Sequence, residues 1–148
     1  MKKKLLAFCL ATGIALSISA QEKVKISDKD LPATIQTSFK GQYPDASNTE
    51  WKMKDGKYKV HFKVNGTKQM AAYDKAGKLL SKGTEIKESE LPVNISSSTK
   101  SLYANRGIDE VYKVEKNGAT QYLVKLKGNP DTKILYSADG QVIKDKQE

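Results

Sequence analysis

The stretch that decides the fold of this chain runs from Gly56 to Val64 and reads Gly-Lys-Tyr-Lys-Val-His-Phe-Lys-Val. Apolar residues alternate in it with lysine and histidine, and successive side chains of a β-strand point to opposite faces. One face is therefore apolar and the other cationic, which is typical of a half-buried strand in an antiparallel sheet. The run from Tyr122 to Leu126 has Tyr, Val and Leu at alternate positions and indicates a second copy of this strand.

A helix pattern precedes the first strand, because apolar residues recur there at four-residue spacing and form one stripe that can pack on a sheet. The stripe consists of Leu31, Ile35, Phe39 and Tyr43. Strand patterns follow at residues 49–53, 58–64, 67–73 and around 79–80, separated by Asp55-Gly56, Asn65-Gly66 and Ala76-Gly77 as turn pairs. The pattern predicts an α+β unit in residues 27–84, with one helix packed on a four-stranded antiparallel sheet.

The same order of elements returns in residues 88–144. Matched positions lie 60 residues apart in the helices and up to 64 apart after the turns. The matched pairs are Leu31 with Leu91, Tyr43 with Tyr103, Trp51 with Tyr112, Met53 with Val114, Tyr58 with Tyr122 and Tyr73 with Tyr136. These pairs predict an internal duplication, that is, two tandem α+β repeats of the same construction.

The N-terminus indicates the compartment. Three lysines at positions 2–4 precede an apolar run from Leu5 to Ile18, which ends at Ser19-Ala20. This arrangement predicts a signal peptide in residues 1–20, and no further apolar run predicts a transmembrane segment in the mature chain. We therefore expect a periplasmic or secreted protein. The single cysteine, Cys9, falls in this peptide, so the mature domain is expected to be held together by its core and not by disulfides.

Three repeated motifs carry a resemblance to a known family. They are a Leu-Pro helix ending in Tyr-Pro, a Gly-x-Tyr-x-Val-x-Phe strand and a closing Tyr-Asp-x-x-Gly-x-Leu-Leu. Together they resemble the PepSY-like proteins, also called β-lactamase-inhibitor-like, across residues 27–144. The resemblance implies a tandem of helix-plus-sheet units in an exported bacterial protein, akin to domains that bind or inhibit enzymes. Asp55 lies at a hairpin tip but matches no recognised inhibitory motif, so the resemblance does not extend to inhibition.

Catalytic residues are scarce in the predicted mature chain, which has one histidine, His61, and no cysteine. A cysteine nucleophile and a two-histidine zinc site are thereby excluded. Ser97 and Lys100 match a Ser-x-x-Lys motif, but its companion motifs Ser-Asp-Asn and Lys-Thr-Gly do not occur. Thr37 and Lys40 occupy the same places in the first repeat. The sequence therefore predicts a protein that is not an enzyme and uses no metal or cofactor.

Basic residues predominate, with 26 Lys and Arg against 17 Asp and Glu and a formal net charge of +9. The predicted face opposite the first helix carries Lys52, Lys54, Lys57, Lys59, His61 and Lys63. One interpretation is a solvated face whose charges discourage aggregation of sheet edges. The other is a platform that recognises anions.

The second repeat has a more mixed pattern. Leu123 and Leu135 interrupt the lysines on what should be the same face, namely Lys113, Lys125, Lys127 and Lys133. These leucines could equally mark a partly apolar contact patch, either between the repeats or for a partner.

These patterns favour an exported, non-enzymatic binding module that binds a protein or an anionic component of the cell envelope. Nucleic acid is not expected as a partner, because the positive charge is spread through both halves and an exported protein seldom meets nucleic acid. The alternative hypothesis is an inhibitor of a periplasmic hydrolase such as a β-lactamase or a protease, which rests on the resemblance alone.

Overall fold

The computed structural model describes residues 23–147, so the predicted signal peptide in residues 1–20 lies outside the described residues. The described part forms one antiparallel sheet in which nine strands lie side by side in chain order. The strands are β1 (Val24–Ile26), β2 (Ser47–Lys54), β3 (Lys57–Val64), β4 (Thr67–Tyr73), β5 (Leu79–Ile86), β6 (Ile108–Lys116), β7 (Ala119–Leu126), β8 (Thr132–Ser137) and β9 (Val142–Gln147). The helices are α1 (Ala33–Gln42) and α2 (Val93–Leu102), each preceded by a short 3-10 turn.

Two-residue turns close the predicted hairpins. Asp55 and Gly56 join β2 to β3 with φ angles of 54° and 67°, and Asn65 and Gly66 join β3 to β4 with φ angles of 50° and 80°. Positive φ at both turn residues is the requirement of the hairpin turn whose twist matches that of the strands. The predicted turn pairs in this part of the chain are confirmed.

Both helices pack on the same face of the sheet. Ile35 of α1 and Ile95 of α2 are completely buried, and each lies in the centre of its own apolar cluster. The predicted stripe of the first helix is confirmed, because Leu31 and Phe39 are buried beside Ile35 and Tyr43 packs at the margin. In residues 23–147, neither helix has the length and apolar character needed to cross a membrane.

The two cores differ in chemistry. In the first, Phe39 meets Trp51 and Phe62 edge to face, with 5.1 Å between ring centres in each pair. In the second, Thr99 takes the position of Phe39, and its hydroxyl lies 2.9 Å from that of Tyr136 and donates to the carbonyl of Ile95. The first core therefore gains aromatic contacts, whereas the second satisfies buried hydroxyl groups with hydrogen bonds.

Each repeat was predicted to have its own four-stranded sheet, but the strands of both repeats form one continuous sheet. Strand β5 of the first repeat pairs with β6 of the second over six residues, from Ser81 opposite Lys116 to Ile86 opposite Val111. Each of these strands would otherwise be an exposed edge with unpaired backbone groups. Strand β1 covers the equivalent edge of β2, and this strand of only three residues, Val24-Lys25-Ile26, was not predicted from the sequence. Pairing of free edges explains why the repeats form a single sheet.

The predicted match of Tyr112 with Trp51 is also wrong. Val111 takes the place of Trp51, because it pairs with Val124 as Trp51 pairs with Val60. Since neighbouring residues of a strand point to opposite faces, this shift by one residue moves Tyr112 to the face without helices. The same shift places Lys113 on the helix face, opposite Tyr122, so it does not lie on the predicted lysine face.

Gly77 provides a test of the contact between α1 and the turn after β4. Its φ is +82°, and a Cβ placed on it would lie 2.7 Å from the backbone oxygen of Thr34. Gly66 has a similar φ of +80° but open space around it. We expect Gly77→Ala to lower the free energy of unfolding by about 2–4 kcal/mol and Gly66→Ala by about 1 kcal/mol, because only the first adds a steric clash. Urea unfolding of both variants measures the difference, and equal losses would contradict this account of the helix contact.

Candidate functional site

A cleft of about 570 Å³ lies on the face of the sheet that carries no helix. We call it the cationic cleft, because eight lysines and one histidine line it against two glutamates. Its basic residues are Lys23, Lys52, Lys54, Lys59, His61, Lys63, Lys68, Lys125 and Lys133, its acidic residues are Glu50 and Glu110, and its larger apolar residues are Phe62, Met70, Tyr112 and Leu123.

Curvature of the sheet brings these residues together. The cleft is lined by residues from β2, β3, β4, β6, β7 and β8, which can surround one space only if the sheet bends around it. Lysines near the two outer edges of the sheet also repel one another. In addition to desolvation, the charge of Lys144 on β9 lowers the pKa of Lys59, and the charge of Lys54 on β2 lowers the pKa of Lys146. The cleft therefore has one wall from each repeat.

Five of the six predicted binding residues line the cationic cleft. Lys52 lies opposite Lys59 and Lys54 opposite Lys57 in the pairing of β2 with β3, so these four side chains share one face as predicted. Lys57 belongs to this face but sits beside the hairpin turn and does not line the cleft. The five residues brought together are Lys52, Lys54, Lys59, His61 and Lys63.

The second repeat contributes an apolar floor. Tyr112 is only 2% exposed although no helix covers it, and Leu123 lies directly opposite it on β7. In the first repeat, Lys52 and Lys59 occupy the positions that correspond to Tyr112 and Leu123. On this face the first repeat is therefore cationic and the second is partly apolar.

Glu110 is the acid at the centre of the cleft. Its side chain is 16% exposed and forms ion pairs with Lys125, at 2.5 Å, and with Lys68 of the first repeat. The hydroxyl of Tyr112 donates to the same carboxylate over 3.2 Å, and the ammonium of Lys125 lies 5.1 Å from the centre of the Tyr112 ring. These contacts join β4, β6 and β7 across the junction between the repeats.

The electrostatic surroundings of the ionisable groups agree with this geometry. Burial raises the pKa of Glu110, but hydrogen bonds from Lys125 and Lys68 outweigh it and lower the pKa to about 2. Desolvation, followed by the nearby charge of Lys54, lowers the pKa of Lys59. Desolvation in the cleft and the ammonium groups of Lys125 and Lys52 likewise lower the pKa of His61, even though part of its ring meets water. The cleft therefore holds more positive charge than its own acids neutralise.

This arrangement is suited to binding an anion. Closely spaced ammonium groups on concave walls raise the local positive potential, because the low-dielectric walls focus the field. Among residues 23–147, no three His, Cys, Asp or Glu side chains are grouped as metal ligands would be. His61, the single histidine, has lysines and glutamates as its charged neighbours.

Sequence reasoning missed several residues of the cleft. Tyr112 was matched with Trp51, another aromatic residue, and was therefore not assigned to the cleft face. The offset of 60 that relates the helices would have aligned Tyr112 with Lys52 and placed it correctly. Glu110 and Lys68 gave no signal, since nothing in the sequence indicated that β4 and β6 would lie in one sheet. Lys125 and Lys133 do lie on the predicted face.

Glu110 is expected to stabilise the junction between the repeats. Because its pKa is lowered in the folded state, the contribution is present above the usual pKa of 4.5 and is lost as the pH falls towards about 2. Glu110→Gln should lower the free energy of unfolding at neutral pH by about 2 kcal/mol, allowing for water around the lysines. Urea unfolding of wild type and variant at a series of pH values measures this, and the difference should shrink at acid pH.

Glu115→Gln is the matched control for that experiment. Glu115 pairs with Lys82 at 3.0 Å on the helix side of the sheet, where both side chains are more than half exposed. Exposed ion pairs contribute roughly 0–1 kcal/mol, so this variant should change stability little. A loss at Glu115 as large as that at Glu110, or a Glu110 effect independent of pH, would contradict the assigned role.

Comparison with known proteins agrees with the observed architecture. The crystal structure of a DUF2874 family protein from Bacteroides ovatus is 24% identical, with a TM-score of 0.61 over 79% of this chain and 87% of that one. A BLIP-like protein from Bacteroides fragilis is 23% identical, with a TM-score of 0.55 over 77% of this chain and 84% of that one. At these identities the likeness shows a shared fold.

A third solved structure comes from Bacteroides eggerthii and is provisionally described as periplasmic; it is 17% identical, with a TM-score of 0.65 over 79% of this chain and 88% of that one. No protein of curated function matches the chain significantly. The sequence model of the beta-lactamase-inhibitor-like, PepSY-like family matches residues 17–81 and again residues 78–144. Since each match contains one helix with its strands and the two together span most of the sequence, this chain belongs to the PepSY-like family.

Proposed function

We propose that this protein is a periplasmic binding module without enzymatic activity, whose cationic cleft binds an anionic partner, either a protein or another component of the cell envelope. The observation that carries the proposal is the clustering of eight lysines around one concave space. A sheet face exposed to water needs charged side chains for solubility, but solubility does not require those side chains to line one cleft.

The energetics of the cleft favour an anionic occupant. Desolvation and neighbouring lysines lower the pKa of Lys59, so its charged form is less favourable there than in water. A bound carboxylate, sulfate or phosphate group would reverse part of that penalty, because opposite charges at about 4 Å attract by a few kcal/mol near a protein surface. Binding should therefore be strongest at low ionic strength.

The proposed compartment rests on two supports. The N-terminal residues have the composition of a signal peptide, with lysines before an apolar run and small residues after it. The structural neighbour from Bacteroides eggerthii is provisionally described as periplasmic. In that compartment the available anionic partners are acidic proteins and charged envelope components, not nucleic acid.

The absence of enzymatic activity is part of the proposal and rests on the chemistry of the cleft. Its candidate proton carriers are His61, Glu50 and Glu110. Glu110 has a pKa of about 2 and is held by two lysines, so it is a poor general base near neutral pH. The cleft lining includes no serine, threonine or cysteine that these three residues could activate as a nucleophile.

Inhibition of a hydrolase is a second candidate function. It is favoured by the family description and by the fold shared with the BLIP-like protein of Bacteroides fragilis. In that case the anionic partner would be an acidic surface of the enzyme. Assays of periplasmic β-lactamases and proteases with a micromolar excess of this protein test the candidate, and unchanged rates would refute it for the enzymes assayed.

Charge reversal in the cleft tests the leading proposal. We expect the triple variant Lys52→Glu, Lys59→Glu, Lys63→Glu to lose most binding to native envelope material, because each change removes an attraction and adds a repulsion. The measurement is retention of the purified variants by immobilised envelope extract at low and physiological salt. We expect at least a tenfold loss of retention at low salt.

The control is a triple reversal of equal charge on the opposite side of the sheet, at Lys40, Lys78 and Lys100. These residues are exposed and lie on or beside the helices. If both triple variants lose retention equally, net charge alone governs binding and the cleft is not the site. If neither loses it, an anionic partner is not bound by this protein.

A further inference from the structure

We infer that the ligand of the cationic cleft is an extended acidic polypeptide segment with an apolar side chain at its centre, which bridges the two walls of the cleft. The inference rests on the proposed function and specifies the chemistry of the partner. It comes from three features of the cleft: the spacing of its lysines, the repulsion between its walls and the apolar character of its floor.

The spacing along the strands favours a ligand with several regularly spaced charges. Lys52 and Lys54 occupy alternate positions of β2, and Lys59 and Lys63 lie with His61 on alternate positions of β3. Alternate residues of a strand repeat about every 7 Å, which is also the spacing of alternate side chains in an extended peptide. A peptide with acidic residues at every second position can therefore match several lysines, whereas a small anion or a single lipid headgroup matches one or two.

The walls of the cleft repel one another across its mouth. Lys144 on β9 adds to the positive surroundings of Lys59, and Lys54 on β2 adds to those of Lys146. A polyanion placed between them is attracted to both walls. Such a ligand should therefore tie the outer strands of the two repeats together and stabilise the whole domain.

The centre of the cleft is not suited to a further carboxylate. Lys68 already pairs there with Glu110 and Glu85, Lys125 pairs with Glu110, and the ring of Tyr112 lies 5.1 Å from the ammonium of Lys125. What the centre offers beside these groups is the partly exposed side chains of Met70 and Leu123. An apolar side chain fits this position, with acidic residues on either side meeting the lysine walls. An anionic polysaccharide supplies the charges but no such side chain.

Four probes test this inference by calorimetry with the purified domain. The first is an extended peptide of alternating Glu and Gly with a central Phe, and the second replaces that Phe by Ala. The third is polygalacturonate, and the fourth is a vesicle of anionic phospholipid. We expect the Phe peptide to bind about tenfold more tightly than the Ala peptide, as burial of an aromatic side chain predicts, and more tightly per charge than the other two probes.

A substitution that copies the first repeat into the second locates the apolar subsite. Leu123→Lys gives the second repeat the lysine that the first repeat has at the corresponding position, Lys59. This variant should lose the preference for the Phe peptide over the Ala peptide and keep its attraction to acidic peptides. Leu102→Lys is the control, because Leu102 is exposed on α2 and lies on the opposite side of the sheet. The Phe peptide should also raise the melting temperature more than a monovalent anion of equal charge concentration.

The outcomes separate the inference from the proposal beneath it. Equal binding of the two peptides would overturn the inference and leave the proposed function standing. So would tighter binding of polygalacturonate or vesicles, if that binding is lost on charge reversal of Lys52, Lys59 and Lys63. Failure of all four probes to bind at low salt would overturn both. A preference for Phe that persists in Leu123→Lys would overturn the placement of the apolar side chain.

Discussion

The hydrogen-bonded ladder between β5 and β6 is the constraint on which the rest of the structure depends. It joins Ser81–Ile86 to Val111–Lys116 and so turns two half-sheets into one. A single sheet has one pair of faces, which means that both helices can lie on one face and leave the other face continuous. The cleft spans strands of both repeats, so it exists only because this ladder exists. The Glu110 ion pair with Lys68 reinforces the same junction on the cleft side.

The two faces have diverged to different degrees. On the helix face, Ile35 corresponds to Ile95 and Tyr73 to Tyr136, and all four are completely buried. On the cleft face, lysines in the first repeat correspond to Tyr112 and Leu123 in the second. Core positions tolerate few changes because volume and shape must be conserved. A solvent-facing position is free to change, so the duplicated unit keeps its fold in both copies while its open face becomes asymmetric.

The sequence predicted what depends on local pattern and failed where a partner strand had to be known. Four-residue spacing predicted the helix stripe through Ile35. The pairs Asp55-Gly56 and Asn65-Gly66, whose residue types favour positive φ, predicted the hairpins on either side of β3. The alignment of β6 was wrong by one residue, because aromatic character was used to match Tyr112 with Trp51, although the offset of 60 between the helices continues through this strand. Alternation identifies the faces of a strand but does not name its neighbour, so the joining of the sheets and the curvature that forms the cleft could not be predicted.

The position of the acidic residues explains how so cationic a cleft remains folded. Glu110 is placed where the lysines of both repeats converge, and it removes the repulsion that would be greatest in the least hydrated part of the cleft. The remaining positive charge is displaced to the walls, where water screens it and a ligand can reach it. In the proposed complex with an acidic peptide, long-range attraction would come from the walls and discrimination from the partly exposed side chains of Met70 and Leu123. Under that proposal, charge governs how fast the peptide arrives, and the apolar contact governs which peptide stays bound.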